Sequence, residues 1–393
     1  MRMGSLTIAG AMIWNGEGFV DGDLHIVGGR VSEAPGAGAE VLDAGGGWLI
    51  PGLIDAHFHA YATSMDGLEN ERGPLSFVAI NGARRLENAL RRGFTTVRDV
   101  AGGDIGLARA VEDGLFPSPR YLFTGPALSQ TGGHGDPRAA HVDICFSRGH
   151  MCEIVDGADA LRLAVRNRLR TGAHAIKVMT SGGVFSLADP IRVPQYSAEE
   201  LAAVVDEAGR RGSYVAAHAY SPEAVLHSIE HGVRSIEHGN LIDAATARRM
   251  AERSAFLVPT LAAYDAMDRR GAGIGLNAIS LAKNAEVLSK GQEAVRLALA
   301  AGVRVGFGSD LMGELEDDQL CGVRLQVEAA GAAETLRSMT RVNAELLGDP
   351  ALGHLGAGAH GDAVLLSADP LADPAALWET EARRAVVRAG CVI

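Results

Sequence analysis

His57 and His59 stand two residues apart at the end of an apolar segment, GLIDAHFHA (52–60). In a strand, that spacing puts both imidazoles on one face, as two ligands of one metal ion require. The pair alone is weak, because a chain with 13 histidines produces such spacings by chance. Its context is stronger. His218 lies in SYVAAHA (213–219), His238 in VRSIEHG (233–239), and Asp310 closes VRVGFGSD (303–310). In each segment a polar residue interrupts apolar sequence near the C-terminal end. Taken singly, each histidine reads as a hydrogen-bonded core residue. Together, four histidines and one aspartate read as a ligand set, since neutral imidazole and carboxylate are ordinary ligands of zinc and similar ions.

Lys177 belongs with them. Of 36 lysines and arginines only three are lysine: Lys177, Lys283 and Lys290. Yet Lys177 sits inside the apolar run AIKVM. Burial there would lower its pKa. A neutral amine can capture CO₂ as a carbamate, an anion able to bridge two metal ions, whereas arginine stays protonated and cannot. The plainer alternative is a buried lysine paired with Asp310 or Glu237. Two further side chains suit a reacting carbonyl. His134, in the glycine-rich TGGHGD, could donate to a developing oxyanion. Tyr220, two residues past His218, could bind the oxyanion or a substrate carboxylate. Arg192 and Arg138 offer planar forks for that carboxylate. Cys145, Cys152, His141 and His150 crowd one loop, but their spacing matches no common zinc template.

These residues need a scaffold that gathers strand ends. Between about 51 and 352 the sequence alternates strand and helix. FTTVRDV, RYLFTG and AFLVPT supply the strands not yet named, and stretches such as SAEELAAVVDEAGRRG supply helices that end at glycine. Ser197 and Glu200 fit a capping box. Eight strands alternating with helices predict a (β/α)₈ barrel, whose catalytic face is the C-terminal end of its strands. No GxGxxG follows the early strands, which disfavours a dinucleotide fold. Residues 1–50 and 353–393 are short alternating strands broken by glycine turns, predicting a small β-sandwich domain built from both termini. SGGVFSLADPIRVPQY (181–196) and residues 261–282 read as long loops reaching over the mouth.

Composition narrows the partners. The net charge of −12 and an aromatic content of 5% argue against nucleic acid or an anionic membrane. The N-terminus lacks a signal-peptide pattern and no apolar run approaches ~18 residues. Four cysteines without a CxxC read as reduced thiols of a cytoplasmic protein. The expected partner is a small-molecule substrate.

PGLIDAHFH, GFTTVRD, IKVMTSGG, AAHAYSP, SIEHGN and GFGSD together resemble the amidohydrolase superfamily over nearly the whole chain. LSQTGGHGDPR, IEHGNLID and VPTLAAYDA resemble its branch of bacterial Xaa-Pro dipeptidases, related carboxypeptidase-like dipeptidases and ochratoxin-hydrolysing amidases. The resemblance implies two divalent ions, zinc first, with manganese or cobalt as alternatives. His57, His59 and Asp310 would bind the inner ion, His218 and His238 the outer, and carboxylated Lys177 would bridge them. It also implies attack by a metal-bridging hydroxide, with Asp310 shuttling the proton. The implied reaction is cleavage of an amide to a C-terminal amino acid, in a dipeptide or N-acyl amino acid. A cyclic amide or imidazolone, or a xenobiotic amide or carbamate, is the alternative substrate. A non-enzymatic ligand-binding barrel would show a broken ligand set, and none of the six ligands is missing here. Relatives often form homo-oligomers, so a homo-oligomer is expected.

Overall fold

The computed structural model describes residues 5–139, 141, 144–186, 189–380 and 383–393, and counts and absences below refer to these. Residues 1–4 of the terminal β segment and 187–188 of loop 181–196 lie outside them.

Eight parallel strands form the centre. The first three, Leu53–Phe58, Phe94–Asp99 and Arg120–Phe123, make one sheet. The remaining five are Ile176–Met179, Val215–Ala219, Ser235–His238, Phe256–Val258 and Arg304–Val305. They pair in chain order in a second sheet, which also holds Ala127–Ser129 and Cys152–Ile154. Backbone hydrogen bonds join the two sheets at both seams. His174 N–H donates to Phe123 O at 2.8 Å on one side; Ala56 N–H donates to Phe307 O and Asp310 N–H to His57 O on the other, at 2.9 and 2.8 Å. The result is a (β/α)₈ barrel with a β-sheet domain.

The eighth strand is shorter than VRVGFGSD suggests, with ladder pairing only at Arg304–Val305. Beyond Val305 the segment bonds to the first strand, through Phe307 O and Asp310 N–H. A Cβ on Gly308 would lie 2.4 Å from the Cβ of His57, so only glycine lets the two segments close the barrel here.

Helices cover the barrel. Ala198–Gly209 carries the predicted capping box, with Ser197 and Glu200 satisfying each other's backbone N–H groups. Pro222–Glu230 starts from Ser221 with proline in its first turn. Leu161, Val165, Leu201, Val204, Val225, Ile229 and Met250 on the helices pack against Val178, Ala217, Ile236 and Leu257 on the strands. Residues 261–282, expected as a loop, are mostly helical: Leu261–Arg270, a turn at Gly271–Ile274, then Ala278–Ala300. Leu261, Ala262, Ala263, Tyr264, Ala266 and Met267 are buried on it. The usual start signal is missing, because Thr260 makes no side-chain cap.

Strands from both ends of the chain share one eight-stranded sheet, including Leu6–Trp14, Phe19–Val27 and Trp48–Pro51 from the front and Ala363–Leu366 and Arg383–Arg388 from the back. Its core gathers Leu6, Ile8, Ile26, Leu49, Leu365 and Val387. No described helix is long and apolar enough to cross a membrane.

Candidate metal centre

The C-terminal ends of the strands open into a cavity of about 960 Å³, and His57, His59, Lys177, His218, His238 and Asp310 all line it. His57 and His59 leave the first strand together. Their rings stand edge-on with centroids 5.1 Å apart. His238 lies 5.0 Å from His57 and 4.5 Å from His218, centroid to centroid. His57, His238 and Asp310 offer ligand atoms within 4.8 Å of one another.

Proton placement tests whether a metal fits. His57 Nδ1–H donates to Glu237 Oε2 at 2.7 Å. His59 Nδ1 faces the carbonyl of Ala101 at 3.3 Å, and a carbonyl can only accept. Both rings therefore turn Nε2 toward Asp310, whose Oδ1 is 3.2 Å from His57 and 2.9 Å from His59. Two acceptor nitrogens around one carboxylate oxygen repel unless a proton or a cation sits among them. A divalent metal meets that demand. His218 Nε2 donates to Gly182 O at 3.2 Å, leaving its lone pair on Nδ1. Burial, with neighbouring charge from His134, His238 and Lys177, holds His218 well below its ordinary pKa, and burial does the same to His238. Neutral imidazoles are the ligating form. Burial would raise Asp310, but the surrounding histidines outweigh it and keep the carboxylate ionised.

Lys177 is 2% exposed. No described carboxylate comes within ion-pair distance of its amine, so the pairing with Asp310 or Glu237 is not made. Burial lowers its pKa to about 8.

Behind the ligands stands a network that the sequence reading largely missed. Glu237, fully buried, also accepts from Arg98 Nη2 at 2.8 Å and Ser235 Oγ at 2.5 Å. Arg98, equally buried, donates to Ala56 O. Arg98 carries the same signal as Lys177, a cation inside an apolar strand, but arginine is too common in this chain to stand out. Tyr264 is the other omission. Its hydroxyl lies 2.9 Å from both His238 Nδ1 and Tyr220 OH, and Thr260 Oγ1 adds a 2.8 Å contact to His238 Nδ1. Three consecutive strand ends here hold positive φ at non-glycine residues: His238 at 76°, Thr260 at 48° and Asp310 at 55°.

His134 and Tyr220 reach the same cavity. The His134 ring stacks on His218 with centroids 4.1 Å apart. Tyr220 stacks on His238 at 5.0 Å. Arg138 lines the mouth, with Nε and Nη2 bonded to Asp136. Arg192 does not reach the cavity. It is 54% exposed and pairs with Glu286 on helix Ala278–Ala300, because its stretch of loop turns outward. The Cys/His loop forms no ligand cluster: Cys145 is exposed and His150 Nε2 bonds to Gly73 O.

The model of the amidohydrolase family matches residues 48–393. An ochratoxinase from Aspergillus niger is 32% identical over 368 residues, spanning 87% of this chain and 75% of the ochratoxinase. The structure of a prolidase complexed with N-methylphosphonate-L-proline shares 40% identity, with a TM-score of 0.95 over 99% of each chain. A Xaa-Pro dipeptidase with methionine bound in its active site shares 26% identity, with a TM-score of 0.86 over 99% of each chain.

Proposed function

The chain belongs to the amidohydrolase family, and on that premise we propose that it is a metal-dependent hydrolase releasing a C-terminal amino acid from a dipeptide, Xaa-Pro included, or from an N-acyl amino acid. The observation that carries this is the convergence of His57 Nε2 and His59 Nε2 on Asp310 Oδ1, with neutral His218 and His238 and an unpaired Lys177 beside them. His57, His59 and Asp310 would hold an inner ion, His218 and His238 an outer one, with Lys177 bridging as a carbamate. When bound, two divalent ions, zinc first and manganese or cobalt as alternatives, supply Lewis acidity and a water of lowered pKa.

The chain's own groups do the rest. Asp310 Oδ1 faces the lone pairs of two imidazoles, where the inner ion would sit, so Oδ2 is the atom that takes a proton and returns it to the leaving nitrogen. Ser186 Oγ donates to Gly183 O at 3.3 Å and lies 3.0 Å from His134 Nδ1. That contact fixes the orientation of the ring, and Nε2, the nitrogen Ser186 does not engage, is the atom left to meet the developing oxyanion. Tyr220, its OH bonded to Tyr264 OH, lines the same cavity. Phe77, Phe185, Ile274 and Leu276 give the cavity an apolar side, and its volume is at the large end for small-molecule sites, which favours a bulky acyl group. Of the two arginines only Arg138 lines the cavity, and with Nε and Nη2 held by Asp136 its Nη1 is the donor that remains for a substrate carboxylate.

A library of Xaa-Pro dipeptides and N-acyl amino acids, assayed with zinc-, manganese- and cobalt-loaded enzyme, tests the reading. Amidating the carboxylate of the best substrate should lower kcat/KM about 10–100-fold, the worth of a hydrogen bond to a charged group. Equal rates on acid and amide would refute recognition of a terminal amino acid and favour a xenobiotic amide or carbamate.

A further inference from the structure

Lys283 is another of the three lysines, and it lies outside the ligand cluster on helix Ala278–Ala300. Its Nζ donates to three backbone carbonyls of one loop: Gly183 at 3.0 Å, Ser186 at 2.7 Å and Asp189 at 2.8 Å. An ammonium carries three donors about a single nitrogen. A guanidinium is a flat fork and cannot meet three carbonyls that close around one point. The contact therefore needs lysine, in a chain that otherwise uses arginine.

The gripped loop leads to His134 by separate routes. Ser186 Oγ contacts His134 Nδ1. Asp189 Oδ2 accepts from Gln195 Nε2 at 3.0 Å, and Gln195 Oε1 accepts from the His134 backbone N–H at 3.0 Å. Gly183 passes so close that a Cβ there would lie 2.0 Å from the His134 ring, so loop backbone walls one side of the imidazole. Asp189 Oδ1 is buried without a hydrogen-bond partner and faces Lys283 Nζ at 4.0 Å. The ammonium thus also offsets the one charge this loop buries.

We propose that Lys283 is a positioning residue: by gripping Gly183, Ser186 and Asp189 it holds Ser186 Oγ against Nδ1 of His134 and fixes the orientation of the ring, leaving Nε2 to meet the substrate. This rests on the reading that His134 donates to the reacting group. Lys283 itself touches neither substrate nor metal.

The test compares metal-loaded Lys283→Met, Lys283→Arg, His134→Ala and the two double variants on the fastest Xaa-Pro dipeptide or N-acyl amino acid of the library. Lys283→Met should lose roughly 10²-fold in kcat, the scale of a slightly misplaced catalytic group. KM and bound metal should stay near wild type. Lys283→Arg should lose as much, since charge without the threefold geometry does not hold the loop. In the His134→Ala background neither change should cost more than about twofold further, because the residues act as one unit. Losses that multiply, or a Lys283→Arg enzyme with wild-type kcat, would overturn the proposal. If Lys283→Met does not fold, Lys283→Arg and Ser186→Ala carry the same comparison. An impaired His134→Ala beside an unimpaired Lys283→Met removes the positioning role alone. A His134→Ala enzyme with wild-type kcat/KM removes the role of His134 and the positioning role with it.

Discussion

Replacing Lys177 with methionine should make the metal-free protein more stable and the metal-loaded protein inactive. Burial, only partly opposed by Glu237 and Asp310, lowers the amine's pKa from 10.5 to about 8. A lysine with a depressed folded pKa costs stability as pH falls from its unfolded value to its folded one, and the cost is constant below that. At pH 7 it amounts to roughly 3 kcal/mol, at about 1.4 kcal/mol per tenfold step. Methionine keeps the apolar stem and removes the charge. Urea unfolding of metal-free Lys177→Met should therefore show a gain of up to roughly 3 kcal/mol at neutral pH, shrinking as pH rises above about 8. The same burial prepares the amine for CO₂. Its neutral fraction at pH 7 rises from roughly 0.03% to roughly 9%. The nitrogen attacks the carbon of CO₂, an N–C bond forms, and a proton leaves to water. With ¹³C-labelled bicarbonate, metal-loaded wild type should give a carbamate carbon signal that the methionine variant lacks. Metal content should fall from about two ions per chain to one or fewer. Acetate or propionate should partly restore Lys177→Ala by filling the vacated space. Lys177→Arg should be as inactive as Lys177→Ala. An arginine variant with substantial turnover, or a metal-free methionine variant no more stable than wild type, refutes the reasoning.

Asp310→Asn should lose at least ~10²-fold in kcat per bound metal; an active, metal-replete asparagine enzyme would remove Asp310 from proton transfer. Arg192→Ala should leave kcat/KM within about twofold, because its pair with Glu286 is exposed and such pairs contribute little; a large rise in KM would return Arg192 to the substrate. Glu71 lines the cavity and accepts from the Met151 and Cys152 N–H groups, and burial raises its pKa from 4.5 to about 7. A carboxyl raised in this way contributes stability that is full below 4.5 and lost as pH rises through about 7. Glu71→Gln keeps the acceptor and cannot ionise, so its stability relative to wild type should grow by up to roughly 3 kcal/mol between pH 4.5 and 8. A pH-independent difference in urea midpoints would show that Glu71 does not carry that linkage.

How far the sequence is legible follows from what each residue depends on. The barrel is readable because every strand must alternate with a covering helix, and each covering helix carries its own apolar face. The gathering of His57, His218, His238 and Asp310 is readable for the same reason: parallel strands have one C-terminal face, so residues far apart in sequence share it. Lys177 stands out because its burial conflicts with its charge. Arg98 conflicts equally, yet its partner Glu237 lies on the sixth strand, and nothing local to FTTVRD announces that pairing. Arg192 fails in the opposite direction. A loop arginine looks available until Glu286, 94 positions on, is seen to hold it outside the cavity. Tyr264 was hidden by a helix without a cap.

The positive φ angles at His238, Thr260 and Asp310 extend this to the backbone. Each such residue costs of order 1–3 kcal/mol, and it persists only where its surroundings fix it. Here they do. His238 Nδ1 is tied to Thr260 Oγ1 at 2.8 Å and lies 3.6 Å from Asp310 Oδ2, while Asp310 N–H is bonded to His57 O at 2.8 Å. The strain therefore sits at the strand ends that carry two of the ligands, and the cross-strand contacts that hold it also tie those ligands to one another.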